Sequence, residues 1–186
     1  MHAVWRLFAN CGRRVRVGYF VAIIDLKDNK MKLNYILIPI YTIAVAFAGQ
    51  ALSNSGLKKW YKTLKLPDFT PPGDEIGIIW TIIFILSATA AIVAWNSGVI
   101  LQSDQVVLGL MFIVNGLMNV FWSFLFFYAH MLGYATIEAG ALALSIVALI
   151  IYIYPISVLA AVLLVPYFLW VCFATFLTFR VCMLNK

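Results

Sequence analysis

Residues Trp60 to Trp80 read WYKTLKLPDFTPPGDEIGIIW, and the stretch lies between two runs suited to lipid. It decides the fold because it is the one long link in the chain. Pro67, Pro71 and Pro72 each fix φ and push the preceding residue out of helix, so the segment is a stiffened path and not a slack tether. Thr70 suits a helix cap and Pro71 a first turn, while Asp74 and Glu75 complement the positive end of the new helix dipole. The second apolar run is therefore expected to turn helical near Pro71. Taken alone, TPPGDE reads as a plain helix entry with aromatic rings at the interface.

Outward from this link the chain is apolar. Of its 186 residues 65% are hydrophobic and 11% charged, against roughly a quarter charged in soluble domains, which makes it an integral membrane protein. A spanning helix needs about 20 mostly apolar residues, and the windows 33–53, 76–97, 106–128, 135–154 and 157–180 each supply them. The later links are short: NSGVILQSDQ with Asp104, YAHMLGY with His130, and a turn at Pro155. Consecutive helices must then be antiparallel neighbours. The expected architecture is an all-α bundle of five transmembrane helices with a long structured loop between the first and second, a single domain over residues 31–186.

The net charge of +6 comes from basic residues at the ends and in links, where the positive-inside rule puts them, so nucleic acid is set aside. Lys58, Lys59, Lys62 and Lys65 share a side with Arg180 and Lys186, which places the first loop in the cytoplasm if translation starts at Met31. Counting Arg6, Arg13, Arg14 and Arg16 cancels or reverses that excess. Residues 1–30 are a basic extension whose apolar run is too short to span. They read as an upstream start, a targeting segment or a surface-lying helix. Cys11, Cys172 and Cys182 fall at unrelated spacings and form neither a metal pattern nor a disulfide framework.

Three separated motifs, KWYKTLKLPDFTPP with Trp80 after it, GLMNVFWSFLFF and VPYFLWVCFATFLT, occur in this order. Together they resemble the TspO/translocator-protein family, also called the tryptophan-rich sensory or peripheral benzodiazepine receptor family, from about Met31 to Arg180. The resemblance implies a five-helix bundle, often dimeric, whose first loop closes over a cavity. That cavity takes porphyrins, haem-related tetrapyrroles and synthetic isoquinoline or benzodiazepine ligands, with sterols in many eukaryotic members.

The residues that would form such a cavity stand at helical spacing. Asn119, Trp122 and Phe126 share one face of the third span. Trp80 and Phe84 lie one turn apart on the second, and Tyr167, Trp170 and Ala174 form a face of the fifth. Spacing alone equally allows an interhelical hydrogen bond from Asn119 and ordinary aromatic packing elsewhere. The resemblance carries these positions over as ligand-binding, and it assigns Trp60 and Tyr61 to the covering loop. A tetrapyrrole is a broad apolar plate with carboxylates at one edge, suited to stacking on Trp80, Trp122 or Trp170. Lys58, Lys59 and Lys62 are candidates for the acidic edge, or else topology determinants.

Two positions depart from the family pattern. Gly73-Asp74-Glu75 follows the double proline where an aromatic is common, and Leu177-Thr178-Phe179 lacks the tyrosine of the proposed sterol-recognition pattern beside Arg180, so sterol is disfavoured. Glu138 lies about one turn inside the expected fourth helix, where its carboxyl can reach the interface, make an interhelical contact or relay protons. His130 has no second ligand at metal spacing, and no metal or resident cofactor is expected.

The function so implied is a receptor or transporter-like membrane protein that binds porphyrin or haem as ligand, in tetrapyrrole handling or stress signalling. Light- or oxygen-dependent porphyrin degradation, with Trp80 and Trp170 as redox participants, and a structural oligomeric role are the alternatives. The expected partners are a tetrapyrrole such as protoporphyrin, the lipid bilayer and a second copy of the chain. A bacterial inner membrane is the expected location, with a bacterial or mitochondrial outer membrane as the alternative.

Overall fold

The computed structural model describes residues 33–97 and 102–186; the basic extension at 1–30 lies outside the described residues. Residues Ile38–Lys186 form one compact unit, and of the other, Met1–Leu37, only the opening residues of the first helix are described.

Five apolar helical segments of membrane-crossing length follow one another: Leu33–Leu57, Gly73–Trp95, Asp104–Tyr128, Leu132–Ile153 and Val158–Leu184. Within hydrocarbon every backbone N–H and C=O must be paired inside the segment, which for an apolar run of this length leaves the helix. The protein is a multi-pass integral membrane protein, and there is no strand among the described residues. The elements are α1 (Leu33–Leu57), a short 3₁₀ turn (Tyr61–Thr63), α2 (Gly73–Trp95), α3 (Gln102–Ser123) with a π turn (Phe124–Tyr128), and α4 (Leu132–Ile153). The fifth span is broken into α5 (Val158–Leu163) and α6 (Val165–Leu184).

Each break has a local cause. Pro166 carries no N–H, so the helix is interrupted at Leu164 and resumes with the proline in its first turn. Ser157 caps α5 by accepting from the Ala160 N–H at 3.3 Å. Below Ser123 the third span widens. The Ala129 N–H reaches back to the Phe124 carbonyl at 2.8 Å and the Met131 N–H to that of Leu125 at 2.8 Å, and His130 closes the turn at φ 58°.

The second helix starts differently from the expectation. Its first residue is Gly73, and the Thr70 hydroxyl donates to the Pro67 carbonyl at 2.6 Å instead of capping the helix. Pro71 and Pro72 hold the residues before them out of the α region, so helix begins only once both prolines are passed. Asp74 and Glu75 do occupy the first turn.

α4 packs most extensively on α6 and α3, and α2 on α5. The solid core occupies the end of the bundle away from the long loop. There Ala90 and Ala94 of α2 meet Leu108 of α3, Ile146, Leu149 and Ile153 of α4, Ala160 and Ala161 of α5, and Leu164. α1 runs beside α3 by close approach. The Tyr41 hydroxyl donates to the Ile113 carbonyl at 2.8 Å, and a Cβ on Gly116 would fall on that hydroxyl. At the loop end, a Cβ on Gly56 would fall on the Phe127 carbonyl. Small residues at such crossings let membrane helices meet backbone to backbone.

Candidate functional site

The other half of the bundle, beneath the loop, is hollow. A cavity of about 520 Å³ runs down α1 from Leu57 to Ala46, down α2 from Gly73 to Phe84, and down α6 from Val181 to Trp170. Each of these stretches covers about three turns, so the cavity reaches about 16 Å from the loop, half of a hydrocarbon core of about 30 Å. Its volume falls in the range of small-molecule sites.

Two aromatic walls face this space. On the α2 and α6 side, Trp80 lies 5.7 Å from Phe84, and its ring meets Trp170 edge-on at 6.5 Å and 89°. Trp170 continues to Phe173 at 5.4 Å, and Ala174 leaves room beside them. On the α3 side, Trp122 stacks on Phe126 at 5.2 Å and 20°, with Phe127 edge-on at 5.9 Å. The π turn carries Phe126 and Phe127 together onto this wall, their rings 4.8 Å apart. Tyr61 leans on both from the loop at 6.3 and 5.9 Å, and burial there pushes its phenol above the ordinary value.

Asn119 lines the cavity and is held by a buried polar chain. Its Nδ2 donates to the Tyr167 hydroxyl at 3.3 Å; that hydroxyl donates to Asn115 Oδ1 at 3.1 Å, and Asn115 Nδ2 donates to Ser145 Oγ at 2.7 Å. The chain joins α3, α4 and α6 and fixes the direction of the Asn119 amide. Of the residues singled out from the sequence, Tyr61, Trp80, Phe84, Asn119, Trp122, Phe126, Trp170 and Ala174 line the cavity. Tyr167 stands one layer behind, as the hydroxyl that orients Asn119. Trp60 also stands outside the wall, stacked on His130 at 4.1 Å and 15° and edge-on to Phe126 at 5.6 Å.

Lys58, Lys59 and Lys62 are exposed and off the wall; the charged residue on the cavity mouth is Asp74. The third side went unread in the sequence. Ala46, Gly49, Gln50 and Ser53 of α1 line it, small and polar residues at i, i+3, i+4 and i+7, and that spacing was the available signal. Glu138 lies deeper than its expected register implied. α4 begins at Leu132, so the carboxyl is buried, 7% exposed, and neither oxygen has a partner among the described residues. The indole N–H groups of Trp122 and Trp170 are likewise buried and unpaired among the described residues.

Residues 36–184 match the TspO/MBR family. The tryptophan-rich protein TspO of Archaeoglobus fulgidus is 34% identical over 143 residues, covering 77% of this chain and 91% of that protein. That of Bacillus cereus is 30% identical over 155 residues, covering 83% and 99%. The human translocator protein is 30% identical over 140 residues, covering 73% and 80%. With a family match across the whole membrane bundle and relatives aligned over most of their length, the chain belongs to the TspO/MBR family.

Proposed function

We propose that the protein is a membrane receptor or transporter-like protein that takes a porphyrin or related tetrapyrrole into this cavity. The observation that carries the reading is the pair of aromatic clusters, Trp80 with Trp170 and Trp122 with Phe126, that line one cavity in half of the bundle. Aromatic rings on more than one helix suit a flat apolar guest, and ring-on-ring contact removes large apolar areas from water or lipid. Buried donors without acceptors cost about 1–3 kcal/mol each. A guest with acceptor atoms at its edge, reached by a modest turn of the Trp122 or Trp170 ring, offsets that cost. Asn119, held in one orientation from behind, adds a directed amide on the same side as Trp122.

The ligand here is cargo or signal and not a resident cofactor. The role we assign is tetrapyrrole handling or stress signalling, in a bacterial inner membrane and as a homodimer; the resemblance to the family supports the role. The test is a titration of the purified protein in lipid nanodiscs with protoporphyrin, followed by quenching of tryptophan emission. Stacking on one indole is worth about 1–3 kcal/mol, so Trp80→Leu with Trp170→Leu should weaken binding by about thirtyfold or more while the helical circular dichroism is kept. Unaltered affinity in the folded double variant would reject this cavity as the site.

A further inference from the structure

Asn185 is the C-cap of α6, and its side chain makes three hydrogen bonds. Oδ1 accepts from the Lys65 backbone N–H at 2.9 Å, and Nδ2 donates to the Lys65 carbonyl at 2.9 Å and to the Val181 carbonyl at 2.8 Å. One amide thus saturates both backbone groups of a loop residue 120 positions away, while its third bond holds it to its own helix. Such pairing fixes the loop in position and in rotation about its own axis.

The rest of the loop has no equivalent. Its other hydrogen bonds are local turns, from the Thr63 N–H and hydroxyl to the Trp60 carbonyl, from the Leu64 N–H to that of Tyr61, and from the Thr70 N–H and hydroxyl to that of Pro67. Among the described residues, Asn185 alone ties the stretch between Tyr61 and Thr70 to a distant element by hydrogen bonds. The remaining contacts are apolar: Leu64 against the cluster of Leu125, Phe126, Ala135 and Val181, Tyr61 on Phe126 and Phe127, and Phe69 on Phe176 at 5.6 Å and on Phe173 at 6.4 Å. Rings of this kind can slide; a two-way amide pair either holds or opens. The position matters as well. Both ends of the loop, at Tyr61 and at Gly73, line the cavity, as does Val181 one turn before Asn185, so Lys65 is fastened at the cavity's mouth.

We propose that Asn185 is the clasp of the covering loop: it holds Lys65 down across the mouth, and its release sets how fast a guest enters and leaves. The clasp stands on the hydrogen bonds themselves; the control of guest exchange rests on the function proposed above.

The experiment compares wild type with Asn185→Ala in nanodiscs by two readouts. The first is amide hydrogen exchange at Lys65 in ligand-free protein. Loss of a bond at both backbone groups should speed it by about tenfold or more, with the amides of α6 from Thr175 to Val181 still protected. The second is stopped-flow quenching by protoporphyrin, in which association and dissociation rates should rise together and the dissociation constant stay within about threefold. Unchanged exchange at Lys65 overturns the clasp. Faster exchange at Lys65 with unmoved porphyrin rates overturns its control of the cavity. A wild type that takes up no porphyrin sinks the proposed function and the guest-exchange half with it, while Lys65 exchange still decides the clasp.

Discussion

Asp74 faces the cavity mouth from the first turn of α2, where its charge complements the helix dipole, and among the described residues the wall carries no lysine or arginine to balance it. A tetrapyrrole with its carboxylates at that mouth meets a like charge. Asp74→Asn should therefore tighten protoporphyrin binding by about two- to fivefold at low salt, an effect that fades as salt rises. The neutral dimethyl ester of the same porphyrin should bind both proteins equally. Equal gains for acid and ester would place the acidic edge elsewhere. Single residues also mark how far the sequence could be read. Trp80, Trp122 and Trp170 stand on the cavity wall; spacing alone leaves them open to ordinary packing, and the resemblance is what assigns them to a pocket. Tyr167 shares a face with Trp170 by spacing, yet its hydroxyl found Asn115 and Asn119 behind the wall. Spacing gives a direction for a side chain; it does not say which neighbour captures the polar end.

Among the elements, α1 and the π turn were the least legible. α2 and α6 are apolar around their whole circumference, as lipid permits, so periodicity cannot tell the inner face from the outer one there. α1 differs in having Ala46, Gly49 and Ser53 turned to the cavity, but its packing partner depends on a third-span backbone that widens after Ser123. No residue type announces that widening. The crossing yields a paired prediction. In Gly56→Ala the new methyl meets the Phe127 backbone carbonyl, which cannot swing aside, and stability should fall by about 1–3 kcal/mol. In Gly49→Ala the methyl makes ordinary contact with Ser123 Oγ at 3.5 Å. That change should be neutral, or stabilising by up to about 1 kcal/mol through helix propensity. Thermal unfolding in one detergent would decide it, and equal loss in both variants would contradict the α1–α3 crossing described here.

At the scale of the molecule, the bundle is solid at one end and hollow at the other. The long link seemed to require an explanation from its prolines and rings; in the structure it starts and finishes on the cavity wall and is fastened to α6 between. The number and order of the spans could be read from apolar length alone, because a membrane allows so few ways to satisfy a backbone. The hollow could not. Emptiness is set by how far α1, α2 and α6 stand apart, and no motif encodes that separation. A second, shallower apolar groove lies outside, between α2 and α6, lined by Ile79, Ile82, Ile83, Pro166 and Leu169 and sharing Trp170 and Phe173 with the cavity. It is the natural rival for a flat apolar guest. The crystal structure of the protoporphyrin complex in lipidic phase separates the two. The account predicts the macrocycle beneath the loop, its faces against Trp80, Trp122 and Trp170 and its carboxylates toward Asp74 and Tyr61. A macrocycle lying in the outer groove on Ile79 and Leu169, with the cavity closed by side chains, would contradict it.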